Sequence, residues 1–404
     1  MKILLYTILG GGAEKLSSIL CSSVLAGHNV TIVATKGKPT FFNQRDVRTL
    51  KKDIGNKTIL EMFRWIPAAV KLSVLLKRQA PDLILTSGFQ AVIVLLRLFG
   101  IARVPIIVIL HSLPSNDIRR CSRSRARRVI LRALFRLFLP HADKYVAVSK
   151  RTKNELVAAY HIDPARIRVI YNPLDLKHTA ALAEEALESE LADLFELPIV
   201  LHVGRLTMAK GQWHLIRSFQ LIKQRFPDSK LVIIGDGELR NYLQRLAIGT
   251  GLKENVIFLG YRANPYKYMR RAVLLAFPSL WEGFPYSVIE AMACGLPVVA
   301  ADCDSGPREI LAPDSDSEFR TSSIEFAEYG ILVPPCDGTL YSSAQPLTRE
   351  ERLFAEAVLR ILEDPSLRKM YTEKGLQRVK DFELGRTMDS YAATIFENFD
   401  ARKG

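Results

Sequence analysis

The chain has 404 residues, 48% hydrophobic and 24% charged, which suits a globular protein of two domains. Its formal net charge of +14 is not ordinary and implies an anionic partner: nucleic acid, nucleotide, phospholipid surface or lipid pyrophosphate. The five cysteines are scattered without zinc-ligand spacing and read as reduced cytosolic thiols, and no apolar run is long enough to span a bilayer, which excludes an integral membrane protein.

The opening MKILLYTILGGGAEK reads as a buried strand, Ile3 to Leu9, rather than a signal peptide, because it flows into a glycine loop and a helix. Ala13 to Leu25 is amphipathic and His28 to Ala34 is the next strand, so the chain opens with a βαβ unit. Gly10-Gly11-Gly12 lets backbone N–H groups approach a phosphate or a sugar, although a plain tight turn is an equal reading. The spacing is not G-x-G-x-x-G, and Thr35 and Lys36 stand where a dinucleotide site needs an acid.

Further strands are expected at Leu83 to Thr86, Ile106 to Leu110 and Tyr145 to Val148, with His111 closing the second. Two segments look interfacial. Met62 to Arg78 mixes bulky apolar and basic residues. Arg119 to Arg136 holds Arg119, Arg120, Arg123, Arg125, Arg127, Arg128, Arg132 and Arg136 with no acidic residue. Its second half is a basic amphipathic helix, suited to an anionic membrane surface or a lipid pyrophosphate. The competing reading is an ordinary helix whose apolar face meets the core and whose arginines are solvated. Nucleic acid is disfavoured, because no aromatic residue interleaves these arginines before Phe135.

Pro173 and the polar stretch His178 to Ala192 mark a domain boundary near 172. Strands are expected at Ile199 to Val203, Leu231 to Ile234, Val256 to Leu259, Val273 to Phe277, Pro297 to Ala301 and Gly330 to Pro334. Helices follow at Trp213 to Arg225, Leu239 to Ala247, Ser287 to Ala293 and Arg349 to Glu363, with Pro313 to Glu328 a surface loop and Lys374 to Phe399 a terminal helix pair. The strand–loop–helix–strand unit around residues 273–301 is the centre of this half. Its loop carries Glu282, and Glu290 lies in what reads as the first turn of the helix.

E-G-F-P-x-S-x-x-E-A-M-A-C-G-x-P-V-V at this point resembles the E-x7-E signature of retaining glycosyltransferases of family four. V-I-Y-N-P-L-D (Val169 to Asp175) and G-R-L-x-x-x-K-G (Gly204 to Gly211) resemble the same family. The resemblance implies an α/β GT-B fold, two facing doubly wound Rossmann-like domains with a cleft between them. Domains are expected at 1–172 (acceptor side) and 173–375 (nucleotide-sugar side), with 376–404 returning to the first. It implies that Glu282 lies near the donor sugar and that Glu290 accepts the ribose hydroxyls. Arg205 and Lys210 would neutralise the departing diphosphate. Gly283, Phe284, Pro285 and Ser287 belong to the same donor-binding motif, and Tyr261 would abut the base through its backbone. On the first domain the family's pattern falls on Gly11 and Gly12, toward donor phosphate or acceptor. It also falls on His111, as a hydrogen-bond donor to the sugar. S-G-P-x-E-I (Ser305 to Ile310) matches a subgroup associated with hexose and N-acetylhexosamine transfer in bacterial glycan assembly.

The resulting expectation is a metal- and cofactor-independent retaining transferase using a UDP-hexose or UDP-N-acetylhexosamine. Its acceptor would be a membrane or lipid-pyrophosphate-linked glycan, and it would sit peripherally on the cytoplasmic face of the cell membrane. Asp302-Cys-Asp304 spells the metal motif of a different transferase fold and reads as a coincidence in this setting. Two alternatives remain: a UDP-sugar epimerase on the same scaffold, and a non-catalytic membrane-bound partner with a vestigial site. Nucleic-acid binding ranks behind both.

Overall fold

The computed structural model describes residues 1–9, 11–34, 41–42, 47–49, 60–87, 97, 100–101, 103–121 and 124–397. The chain forms two compact units, Met1–Pro173 with Gly385–Gly404, and Leu174–Leu384.

The first unit is built on a sheet of seven parallel strands: β1 (Lys2–Thr7), β2 (Asn29–Ala34), β3 (Val47–Thr49), β4 (Leu83–Ser87), β5 (Ile106–Leu110), β6 (Lys144–Ala147) and β7 (Ile167–Val169). Their order is β3-β2-β1-β4-β5-β6-β7. Strands β4 and β5 are apolar runs with both faces covered, as a parallel sheet flanked by helices requires. Leu4, Tyr6, Ile84, Val108, Tyr145 and Leu156 form its core. The helix Leu60–Gln79 sends Leu72 and Leu76 into that core and leaves Val70 and Val74 exposed, so at least one face of this expected interfacial segment is structural.

The second unit repeats the plan with β8 (Ile199–Val203), β9 (Lys230–Ile234), β10 (Val256–Gly260), β11 (Leu274–Phe277), β12 (Val298–Ala301), β13 (Glu325–Ala327) and β14 (Gly330–Val333). The order is β10-β9-β8-β11-β12-β14-β13, parallel except for β13, which pairs antiparallel with β14. The expected surface loop over 313–328 holds up to 324 and is corrected at 325–327, which form strand β13. The segment is drawn onto the sheet because buried Arg308 bonds Glu325, and the Thr321 N–H donates to buried Asp302. The same Asp302 accepts from Arg308 Nε and Nη2, so the first acid of the D-x-D sequence anchors an internal ion pair.

Residues 376–384 stay with the second unit, which moves the expected return point from 376 to 385. Arg378 is buried and donates to the carbonyls of Glu309 and Ile310, and the Phe382 ring meets Phe284 edge-on at 5.3 Å. The helix Leu384–Phe396 then serves the first unit, where Ser23 bonds Met388 and His28 packs on Phe396. Among the described residues no helix is long and apolar enough to cross a membrane.

Candidate active site

In doubly wound sheets ligands bind beyond the carboxyl ends of the strands, where the strand order reverses. In the second unit that point lies between β8 and β11. Their main-chain register covers Leu274↔Val200 and Leu275↔Leu201 only, whereas β8 stays paired with β9 up to Val203. The two strands therefore part before their carboxyl ends. The loops that follow them bring together the charged residues singled out from the sequence.

The loop after β8 runs from Gly204 to Gly211. Gly211 has φ 61° and lies so close to the next loop that a Cβ would fall 2.4 Å from the Pro278 carbonyl oxygen. Glycine is required there on both counts. This close approach sets Lys210 beside Glu282: Lys210 Nζ donates to Glu282 Oε1 at 2.6 Å, with side chains only 16% and 12% exposed. Lys210 also lies over the Phe277 ring, 5.2 Å from its centroid. Arg205, on the same loop, is exposed. An exposed guanidinium and a mostly buried ammonium beside a carboxylate can take a polyanion and a hydroxyl together.

The Glu282 loop is held from behind by the S-G-P-x-E-I segment. Ser305 Oγ donates to the Gly283 carbonyl at 2.7 Å. Gly306 has φ 92° and packs against Gly283, Phe284 and Pro285. Phe284 is buried on Phe382, and Gly283 and Pro285 are buried too, so these residues serve the shape of the loop. Ser287 is half-buried in the helix Tyr286–Ala293. Glu290 is the fifth residue of that helix. It sits beyond the first turn assigned from sequence, because the helix starts directly after Pro285. Its carboxylate is buried and accepts the Tyr266 hydroxyl at 3.1 Å. Tyr266 thus joins Glu290 to the segment after β10, where Tyr261 is 64% exposed.

The first unit contributes its own residues at strand ends. Gly11, with φ 80°, caps the helix that starts at Gly12, and Glu14 in the first turn is buried and accepts the Phe41 N–H at 2.8 Å. That carboxylate opposes a phosphate at this helix end. His111 follows β5, and its Nε2 lies 2.7 Å from Ser87 Oγ at the end of β4. Burial pushes its imidazole down to about 4, so it is neutral near pH 7.

The arginine segment forms two helices, Pro114–Cys121 and Arg125–Phe138. Arg123 lies outside the described residues, as does the Arg120 side chain. Arg119, Arg125, Arg132 and Arg136 are exposed, and Arg127 and Arg128 are half-buried. The helix Arg125–Phe138 has no buried residue at all, and Val129 (62%), Ile130 and Leu137 face solvent. The alternative of an apolar face meeting the core does not hold for these three residues; among its apolar side chains, Phe135 packs on Tyr160. Sequence reading singled out Ser305 only as part of a subgroup pattern, and missed Tyr266 and two buried polar residues beneath the Arg205 loop, His202 and Gln212. A histidine inside the apolar strand IVLHV was the available signal.

Comparison with known proteins agrees with this architecture. The family description "Glycosyltransferase Family 4" matches residues 11–178, and "Glycosyl transferases group 1" matches residues 189–328. The chain is similar to an uncharacterised glycosyltransferase of Methanocaldococcus jannaschii, 31% identical over 83% of this chain and 84% of that one. It also resembles the N-acetylgalactosamine-N,N'-diacetylbacillosaminyl-diphospho-undecaprenol 4-alpha-N-acetylgalactosaminyltransferase of Campylobacter jejuni, 35% identical over 62% of this chain and 59% of that one. Among solved structures, Anabaena HepE in complex with UDP and glucose superposes with a TM-score of 0.73 at 22% identity, covering 98% of this chain and 100% of that one. The chain belongs to the family four glycosyltransferases, with the GT-B fold.

Proposed function

We propose that this glycosyltransferase moves a hexose or N-acetylhexosamine from a UDP-sugar to a hydroxyl of a membrane or lipid-linked glycan, with retention of configuration. The observation that carries the donor half is the Lys210–Glu282 pair at the switch point, with exposed Arg205 on the same loop. Two cations there meet the charge that grows on the diphosphate as the C1–O bond breaks, which is electrostatic catalysis. Glu282 already accepts from Lys210, which lowers its nucleophilicity and suits it to hold a sugar hydroxyl. The acceptor oxygen then attacks C1 on the face that the diphosphate leaves, and the diphosphate takes its proton. This step needs no covalent enzyme intermediate, metal ion or cofactor.

Glu290, oriented by Tyr266, accepts the ribose hydroxyls, and the exposed Tyr261 segment takes the base. Gly283, Phe284, Pro285 and Ser287 hold the donor loop. On the first unit, neutral His111 and the Gly11 and Gly12 backbone are the groups that would contact donor or acceptor. UDP as nucleotide is supported by the UDP complex of HepE, and a lipid-linked acceptor by the undecaprenol-linked substrate in the Campylobacter relative's name. The arginine helix supports a peripheral position on the cytoplasmic membrane face, because its exposed apolar residues and arginines suit anionic headgroups.

The test is a calorimetric titration with UDP and GDP, beside Glu290→Ala. The proposal expects UDP to bind more tightly than GDP and to lose at least about tenfold in the variant. GDP preference would overturn the UDP assignment, and unchanged UDP affinity in the variant would overturn the role of Glu290.

A further inference from the structure

Directly beneath the Arg205 loop lies a buried polar chain that the transfer step above does not use. His202 is fully buried on β8, at the position opposite Ala276 where the main-chain ladder to β11 has already stopped. Its side chain takes over the connection: Nδ1 lies 2.9 Å from the Ala276 carbonyl oxygen. Its Nε2 lies 3.2 Å from Gln212 Nε2, and the same amide nitrogen donates to the Arg205 carbonyl at 2.8 Å. Gln212, also fully buried, opens the helix Gln212–Arg225.

Hydrogen-bond chemistry allows one assignment of protons. Both carbonyls can only accept, so His202 carries its proton on Nδ1 and Gln212 presents its NH2 to Arg205. The Gln212 NH2 then has one hydrogen for Arg205 and one for the lone pair on His202 Nε2. The assignment requires a neutral imidazole, and burial together with nearby Lys210 lowers His202 to about 4. A protonated His202 would turn Gln212 around, with its oxygen toward the ring, and leave the Arg205 carbonyl only the Thr207 N–H at 2.9 Å. His202 also stacks on Phe277, the ring over which Lys210 lies.

We infer that His202 and Gln212 are positioning residues for diphosphate binding: they hold the Arg205 peptide, and through it the Arg205 guanidinium, in the geometry that meets the diphosphate. The inference rests on the reading of this loop as the diphosphate site. Gln212 touches no ligand in this account; it acts through the Arg205 backbone.

The experiment measures the affinities of UDP and uridine for the full chain, for Gln212→Met, for Arg205→Ala and for the double variant. Methionine keeps the length and helix compatibility of glutamine without its donors. The expected result is a loss of about tenfold in UDP affinity for Gln212→Met, uridine affinity within about twofold, and a smaller or absent effect of Gln212→Met in the Arg205→Ala background. Equal losses for UDP and uridine, or the same loss in both backgrounds, would overturn the inference and leave the diphosphate site standing. A wild-type chain that binds UDP no more tightly than uridine would overturn both. Should Gln212→Met not fold, nitrogen-15 NMR of the unaltered protein decides independently. The Nδ1–H tautomer of neutral His202 at pH 6 supports the inference, and an imidazolium or the other tautomer overturns it.

Discussion

Lys210 and Glu282 show how much one residue's role depends on its partner. The ammonium and carboxylate are both mostly buried, so removing either leaves the other uncompensated. Lys210→Ala should therefore lower turnover by roughly 10²–10³, the cost of losing one preorganised donor to developing charge. Adding Glu282→Gln should cost less than its single effect predicts, because the stranded carboxylate is gone; strictly additive losses in steady-state kinetics would contradict the pairing. His202 gives a pH prediction with a definite sign. The unfolded chain takes up a proton near 6.5 that native His202 refuses until about 4. The unfolded state thus binds more protons in that window, and stability falls as pH drops from 6.5 toward 4. The penalty is on the order of 3 kcal/mol at the acid end. Denaturant titrations from pH 7 to 4.5 check it: His202→Phe should lose the part of the slope that this histidine contributes, and an unchanged slope would contradict its neutral burial.

At the scale of elements, the site is made by loops that two glycines allow to touch. Gly306 pairs a positive φ of 92° with a Cβ position 2.5 Å from Pro285 Cδ and 2.9 Å from the Gly283 carbonyl oxygen. Gly306→Ala should cost about 1–3 kcal/mol of stability from the backbone alone. The same change should shift the Glu282 loop, so UDP affinity should fall with the thermal midpoint; a variant with full stability and affinity would contradict the bracing role. The strands and helices around these loops were legible in sequence because apolar runs and 3.6-residue periods state them directly. The E-x7-E spacing and G-R-L-x-x-x-K-G likewise placed Arg205, Lys210, Glu282 and Glu290 on strand-following segments. Tyr266 was not legible, since Glu290 meets it only once two separate helices pack, and Gln212 was not, since nothing in the sequence shows the loop turning the Arg205 carbonyl back onto it. Strands β3, β7 and β13, three residues each, are too short to show a period.

For the molecule as a whole, the charge of +14 is gathered in part on a helix with no fully buried residue. Among the described residues, Arg125, Arg127, Arg128, Arg132 and Arg136 form no ion pair, and Val129 and Leu137 lie exposed among them. Val129→Asp with Leu137→Asp should cut sedimentation with phosphatidylglycerol vesicles at least about tenfold while leaving UDP affinity intact. Equal vesicle binding by the double variant would remove the membrane assignment. Sequence composition announced the charge, yet only the structure shows that Val129, Ile130 and Leu137 beside it face solvent.

The most direct test of the central claim is the product itself. The full chain is incubated with α-linked UDP-hexoses and UDP-N-acetylhexosamines and a polyprenyl-pyrophosphate-linked sugar, and the new linkage is read by NMR. UDP release with an α-linked product from one of these donors is the expected result. A β-linked product would contradict retention, and epimerised free nucleotide-sugar with no transfer would contradict the transfer reaction.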